Sequence, residues 1–234
     1  MSLLLTFLLL APDPIAIKVP ELQLLLKGKK RKTDEALALL KEIGQLKGND
    51  TEAKALVKLI RTSRVKKPPE IMEASFLALK GIGSRKVTKS MLALFNVRKL
   101  KKDPVVRIGI CRAFEGSTDP AGIEYLKDRL HDVDDRVVGA AAAAMGVHRH
   151  AKETVRKDLF KSILKIYMPT WNLKNAVKDD LKVQRRRAER KWEVIEAPME
   201  KSLALLSNVT RPAPSAWQRW WNKNKKKRWQ TIEH

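Results

Sequence analysis

The sequence has few of the residues from which active sites and crosslinks are built. It contains a single cysteine, Cys111, among 234 residues, which excludes an intrachain disulfide and a cysteine-based metal site. Of its four histidines, His148 and His150 point in different directions on a helix, which disfavours a zinc pair. No Gly-rich phosphate loop, nucleophile elbow or HExxH motif occurs. We therefore expect no catalytic, cofactor or metal site, and we interpret the chain as a protein that is not an enzyme.

Long hydrophobic runs are also lacking. The N-terminal apolar stretch, residues 3–10, contains Thr6 and ends at Ala-Pro-Asp-Pro, so it is too short to span a bilayer. Its length matches the apolar region of a secretory signal, although no Lys or Arg precedes it. We predict that residues 1–16 are a signal peptide, with a helix packed on the first repeat as the alternative, and that residues 17–33 form a basic lead-in. Export to the periplasm or cell envelope is favoured over a cytoplasmic location, with no membrane span in the mature chain.

Aromatic residues make up only 6% of the chain, and strand-like alternation of apolar and polar residues is missing. Leu, Ala, Val and Ile dominate instead, which suits closely packed helices. Four Ala- or Leu-rich runs end in a glycine, and each is followed by a second stretch of helical apolar periodicity. These glycines are Gly44, Gly83, Gly116 and Gly146. At Asp103-Pro104 and Asp119-Pro120 an acid precedes a proline, which is typical of a capped helix start. The pattern predicts repeated helical hairpins of about 30–40 residues.

Two segments carry a family resemblance. Asp103-Pro-Val-Val-Arg107 and Asp134-Asp-Arg-Val-Val138 each precede an Ala-rich helix and a glycine. They resemble HEAT repeats of the bacterial phycobilisome-lyase-like type, and the resemblance covers about residues 34–167. It implies an all-α fold, a right-handed α-solenoid of about five helical hairpins. It also implies that Asp103 and Arg107 make contacts between repeats, whereas the fourth unit has Arg136 one position early.

The rest of the chain extends this prediction. Residues 171–207 read as a divergent fifth pair with a break at Ala197-Pro198, so the solenoid spans residues 34–207. Residues 208–215 form a Pro-containing linker, and residues 216–234 a Trp- and Lys-rich C-terminal helix. Ser215 and Gln218 have the spacing of a capping box at its start. Its tryptophans either cap the open end of the solenoid or contact a ligand by stacking. These are Trp217, Trp220 and Trp221.

Negative charge is in short supply. Forty-nine Lys and Arg residues face 26 Asp and Glu residues, a formal net charge of +23. Residues 80–112 carry ten basic side chains and one acidic, whereas residues 113–148 carry three basic and seven acidic. On the second helices of the hairpins, basic residues recur at three- and four-residue spacing, which places them on one face. The candidate binding residues are Lys54, Lys58, Arg61, Arg85, Lys86, Lys89, Lys157, Lys161 and Lys165.

These features favour a binding function. In HEAT folds the second helices generally line the concave surface, so the resemblance implies a basic groove that holds an acidic protein or another polyanion. The first hypothesis is therefore a non-enzymatic interaction or scaffold module. The alternative is a nucleic-acid-binding HEAT-like protein, with the DNA glycosylase type as one form, although an export signal argues against a genomic substrate. Simple solvation of exposed helix faces also accounts for such lysines.

Overall fold

The computed structural model describes residues 18–27, 32–62, 69–83, 85–177, 181–210 and 213–230, with the side chains of Arg85 and Lys86 left out. The predicted signal peptide at residues 1–16 lies outside this part. Every regular element in the described residues is helical, which confirms the all-α class. Apart from one 3-10 turn (Val147–His150), the elements are α1 (Lys18–Leu25), α2 (Thr33–Gln45), α3 (Asp50–Arg61), α4 (Pro69–Ile82), α5 (Arg85–Phe95), α6 (Arg98–Lys102), α7 (Pro104–Ala113), α8 (Pro120–Arg129), α9 (Asp135–Gly146), α10 (Glu153–Lys174), α11 (Lys182–Ser207) and α12 (Pro214–Asn224).

The helices pack in two sets. In the first set, α2 contacts α4, α4 contacts α7, α7 contacts α9 and α9 contacts α11. In the second set, α3 contacts α5, the ring of Phe95 on α5 meets that of Tyr125 on α8 at 5.6 Å, and Lys127 on α8 pairs with Asp158 on α10 at 2.9 Å. One hydrophobic core runs from Val19 to the C-terminal tryptophans. The helices therefore follow one another in space in the order of the chain.

Glycines bring the first set of helices close together. A Cβ atom on Gly81 of α4 would lie 2.1 Å from the carbonyl oxygen of Gly44 on α2. A Cβ atom on Gly146 of α9 would lie 2.6 Å from the hydroxyl of Ser202 on α11. Of the four glycines predicted to close helices, only Gly83 and Gly116 have a positive φ, at 58° and 74°. Gly44 and Gly146 lie within helices instead, where the lack of a Cβ atom lets the neighbouring helix approach closely.

Aspartates begin three of the helices. The side chains of Asp103, Asp119 and Asp134 accept hydrogen bonds from backbone N–H groups at the starts of α7, α8 and α9. The two predicted Asp-Pro starts are therefore confirmed. The capping box at Ser215 is wrong, because α12 begins at Pro214 and is preceded by Ala213, which makes no side-chain cap.

The C-terminal half contains two long helices. The predicted break at Ala197-Pro198 is wrong, because α11 is a single helix of 26 residues that includes Pro198. Proline removes one backbone hydrogen bond and strains the preceding turn. Burial of Ile195 and Met199 on either side of Pro198 keeps both parts of the helix packed against the core. Tertiary packing therefore overrides the local signal for a break.

Helix α1 lies within the segment that the sequence marked only as a basic lead-in. It contacts α2 and α3 and buries Val19 and Leu22. The carboxylate of Glu52, which is completely buried, accepts hydrogen bonds from the backbone N–H groups of Lys18 and Val19. A carboxylate at this position satisfies N–H groups that have no partner inside the helix. Glu52 thus ties the first turn of α1 to α3.

Candidate binding surface

Six of the nine predicted binding residues have exposed side chains that form no ion pair within the described residues. They are Lys54, Lys58 and Arg61 on α3, Lys89 on α5, and Lys161 and Lys165 on α10. The helices hold them outward because the opposite faces are apolar: α3 buries Leu56 and Ile60, and α10 buries Phe160 and Ile163. Two more of the nine, Arg85 and Lys86, begin α5, but their side chains fall outside the description.

Lys157 differs from the six exposed residues because it is engaged with the C-terminal segment. Its ammonium lies 2.5 Å from the carboxylate of Glu153 and donates a 2.6 Å hydrogen bond to the carbonyl of Lys227. It also lies over the ring of Trp229, 5.6 Å from the ring centroid. This ammonium is committed to intramolecular contacts, and we leave it out of the candidate surface.

Helix α8 divides the exposed cations into two groups. The ammonium of Lys127 pairs with Glu124 at 3.0 Å and with Asp158 of α10 at 2.9 Å, and these contacts raise its pKa. Asp128 on the same helix is exposed. Helix α8 itself carries two acidic and two basic residues, so it has no excess of positive charge where it lies between α5 and α10. We name the exposed cations of α3 and α5, Lys54, Lys58, Arg61 and Lys89, the basic surface.

A second basic feature was missed by the sequence reasoning. Helix α6 has the sequence Arg-Lys-Leu-Lys-Lys, and all four of its basic side chains are exposed. With α5 and the α8–α9 connection, it forms an open cleft of about 550 Å³. We call this the α6 cleft. It is lined by Phe95, Arg98, Lys101, Lys102, Arg107, Arg129, His131, Asp132 and Val133. Five basic residues within residues 98–107 were the available signal, but they do not share one face of a long helix.

Two guanidinium groups share one carboxylate in the wall of the α6 cleft. Arg107 donates a 3.0 Å hydrogen bond to Asp132 and a 2.8 Å hydrogen bond to the carbonyl of Lys101. Arg129 donates a 3.2 Å hydrogen bond to the same aspartate. The side chains of Arg107 and Asp132 are 7% and 3% exposed. Burial of an arginine requires such pairing, because an unpaired buried charge is costly.

The prediction that both Asp103 and Arg107 make contacts between repeats is corrected for Asp103. Asp103 caps α7 through the backbone N–H of Val105 at 2.9 Å. Arg107 instead reaches Asp132, in the connection that leads to the next Ala-rich helix. Arg136 turns back to Asp134 at 2.7 Å. Arg107 therefore joins α7 to the connection between α8 and α9, whereas the side chain of Asp103 caps its own helix.

The Phe95 ring anchors two of the cations at the α6 cleft. The Lys101 ammonium lies 5.0 Å and the Arg129 guanidinium 4.6 Å from its ring centroid. A cation over an aromatic face is attracted by the electron density of the ring, typically by about 0.5–1 kcal/mol at exposed sites. Phe95 thus fixes the position of positive charge without neutralising it.

The C-terminal tryptophans pack around one residue of α10. The ring of Phe160 lies within 6.0 Å of the rings of Trp217, Trp220, Trp221 and Trp229, measured between centroids. Trp217 and Trp229 are 1% and 6% exposed. The carbonyl of Gln230 accepts a hydrogen bond from Arg156 at 3.0 Å. These indoles pack over the N-terminal part of α10, around Phe160. Trp217 is too deeply buried to stack on a ligand.

Other groups with chemical interest are buried or unclustered. Cys111 is fully buried as expected, and desolvation raises the pKa of its thiol. Trp192, one of two tryptophans near Asp179 and Asp180 in sequence, is 2% exposed and packs against Tyr167 at 4.8 Å, while both aspartates lie outside the described residues. In the described part of the chain, no three His, Cys, Asp or Glu side chains are placed to hold a metal ion. No helix there is long and apolar enough to cross a membrane.

Comparison with known proteins adds no relative to this description. No protein family model, no curated protein and no solved structure matches the chain.

Proposed function

We propose that this protein is a HEAT-type α-solenoid that binds an acidic macromolecule without catalysing a reaction. The observation that carries the proposal is the basic surface of α3 and α5. Its exposed cations form no ion pair in the part of the chain that the structure describes. By contrast, the partly exposed Lys80 pairs with Glu115 at 2.5 Å and Lys18 pairs with Glu42 at 2.5 Å.

Unpaired like charges on one helix face have a cost. Lys54 and Lys58 are four residues apart on α3, and like charges at this spacing destabilise a helix by about 0.2–0.5 kcal/mol. Neither lysine forms an ion pair within the described residues. An acidic partner would offset the repulsion between them, and it would also be steered towards the surface by the net charge of +23.

The helix order supports the solenoid part of the proposal. Successive first helices contact one another from α2 to α11, and the second helices α3 and α5 do the same, as in repeat proteins whose units touch only their neighbours. We place binding on the exposed face of α3 and α5, where the unpaired cations lie.

The proposal is tested by reversing charge on the basic surface. The surface variant is Lys54→Glu, Lys58→Glu, Arg61→Glu and Lys89→Glu. A matched tail variant, Lys223→Glu, Lys225→Glu, Lys226→Glu and Arg228→Glu, makes the same change in net charge at exposed positions of the C-terminal segment. We expect the surface variant to bind duplex DNA and polyglutamate at least tenfold more weakly than the tail variant does.

Salt dependence gives a second readout in the same experiment. Each phosphate that the protein neutralises adds about 0.9 to the slope of log K against log salt, so four contacts on duplex DNA give a slope near about −3.6. The surface variant should have a shallower slope than the tail variant. Equal loss of affinity in both variants would show diffuse attraction to the whole chain and would contradict a defined binding surface.

A further inference from the structure

We propose that the α6 cleft is a separate binding site for a compact ligand with adjoining phosphate groups, such as the end of a di- or triphosphate. The site goes beyond the basic surface of α3 and α5 and uses none of its residues. Its distinguishing feature is the convergence of basic side chains from α6, α7 and α8 on one open cleft of about 550 Å³.

The charge balance of the cleft selects a multiply charged anion. Its lining contains Arg98, Lys101, Lys102, Arg107 and Arg129, opposed by the single carboxylate of Asp132. Four positive charges therefore stay uncompensated when His131 is neutral. One carboxylate of an acidic protein would neutralise only a quarter of this charge, whereas adjoining phosphates bring several negative charges into one small volume.

The wall of the cleft is already organised. Arg107 is held by Asp132 and by the carbonyl of Lys101, and the second contact also fixes the C-terminal part of α6. Arg129 bonds to the same carboxylate, yet its buried Nε atom has no hydrogen-bond partner in the described structure. Two guanidinium groups around one buried aspartate leave an excess positive charge in a partly desolvated position. Arginine in such a setting is suited to phosphate, because its planar donor fork matches adjacent phosphate oxygens.

The rim of the cleft supplies exposed hydrogen-bond donors. Arg98 and Lys102 are exposed and form no ion pair within the described residues. Their long side chains are able to close over an anion that rests against Arg107 and Arg129. Phe95 does not offer a platform for a nucleobase, because Lys101 and Arg129 already lie over its ring. The cleft is therefore suited to the phosphates of a ligand and not to stacking of a base.

The test uses inorganic tripolyphosphate with the full-length chain. The cleft variant is Arg98→Glu with Lys102→Glu, two exposed positions outside the packed core. The matched control is Lys223→Glu with Lys225→Glu, which makes the same charge change at exposed positions of the C-terminal segment, outside both proposed binding sites. By isothermal titration calorimetry we expect the wild-type protein to bind tripolyphosphate more tightly than orthophosphate. The cleft variant should lose at least tenfold in affinity, and the control less than twofold. Circular dichroism of each variant should match that of the wild type.

Several outcomes would overturn the proposal, and they differ from failure of the proposed function. Equal losses in the cleft variant and the control would show that tripolyphosphate responds to net charge alone. Equal affinity for orthophosphate and tripolyphosphate would remove the requirement for adjoining phosphates. If the cleft variant weakens binding of a single-stranded oligonucleotide but not of tripolyphosphate, the cleft holds a spaced backbone, and a compact ligand is ruled out. In each case the surface and tail variants still decide the function of α3 and α5 independently.

Discussion

Arg107 illustrates what a single residue in a recognised motif does and does not determine. Its position in Asp-Pro-Val-Val-Arg indicated an arginine that links successive units, and its side chain is indeed buried and paired. Its partner is Asp132, 25 residues further on, in the connection between α8 and α9. The motif could not identify that partner, because the choice depends on how two loops meet in space.

Lys157 shows the same limit for a charged residue. Helical spacing placed it with Lys161 and Lys165 on one face of α10. The spacing alone could not reveal that the C-terminal segment folds back over the first turn of that helix. The carbonyl of Lys227 and the ring of Trp229 lie 70 or more residues away in the sequence. A long-range contact therefore decided whether this lysine was available to a partner.

His148 leads to a prediction about pH. It is 5% exposed in the turn after α9, and desolvation lowers the pKa of its imidazole, while a backbone hydrogen bond with Phe114 opposes that shift. The unfolded chain, with an ordinary pKa of 6.5, therefore binds a proton more readily than the folded chain. The stability contributed by the neutral imidazole is complete above that pH and is lost as the pH falls below it.

We expect the free energy of unfolding to fall as the pH is lowered from 6.5 towards about 5.5, with a slope of at most about 1.4 kcal/mol per pH unit for one proton. Urea unfolding curves at several pH values in this range measure the slope. Replacing His148 with Gln should flatten the slope, because the substituted side chain does not titrate. The range ends well above the ordinary pKa of carboxylates at about 4, so their protonation contributes little. A variant with the wild-type slope would contradict the assignment to His148.

Helices differed in how well the sequence predicted them. Residues in α3 and α7–α9 combine apolar periodicity with caps at Asn49, Asp103, Asp119 and Asp134, so local and tertiary signals agree. Helices α1 and α6 have only eight and five residues, which is too short for periodicity to be distinctive. The continuity of α11 through Pro198 was missed for the opposite reason: the local signal was strong, but packing on both sides prevailed.

Gly81 supplies a prediction about how α2 and α4 pack. In a helix interior, Gly→Ala normally stabilises by about 0.5–1 kcal/mol, because it reduces the freedom of the unfolded chain. Here a Cβ atom would lie 2.1 Å from the carbonyl oxygen of Gly44, so the two helices would have to move apart. The close contact therefore predicts a loss of stability in Gly81→Ala, whereas helix propensity predicts a gain.

We expect Gly81→Ala to destabilise the protein by about 1–3 kcal/mol, the usual cost of overpacking a close contact. Chemical denaturation with far-UV circular dichroism gives the free energy of unfolding. Gly48→Ala is an informative control, because a Cβ atom there would meet nothing within 4 Å and only the positive φ of 73° would be strained. A stabilised Gly81→Ala protein would mean that α2 and α4 are not in close contact at this point.

At the scale of the whole molecule, charge is divided into separate regions, whereas packing is not. The apolar core is continuous from α1 to the tryptophans that surround Phe160. The cations instead fall into the basic surface of α3 and α5, the α6 cleft and the exposed face of α10, with the charge-balanced helix α8 between α5 and α10. The sequence predicted the excess of positive charge and its division into basic and acidic regions. It could not predict the cleft, because that feature depends on three helices and a connection that meet only in the fold.

The excess positive charge also predicts how the stability of the whole protein responds to salt. A formal net charge of +23 opposes compaction through self-repulsion. Raising NaCl from about 0.1 M to about 1 M shortens the Debye length from about 10 Å to about 3 Å and screens that repulsion. We therefore expect the free energy of unfolding at pH 7, measured by urea denaturation, to rise by about 1 kcal/mol or more, since several like-charge pairs each contribute about 0.2–0.5 kcal/mol. The surface variant removes four positive charges and adds four negative ones, which lowers the formal net charge from +23 to +15. It therefore separates charge screening from general effects of salt on the hydrophobic core. Its stability should rise by less over the same salt range.

A salt response equal in the two proteins would show that repulsion among the cations of α3 and α5 does not weaken the fold. That result would remove the energetic argument for an acidic partner at this surface.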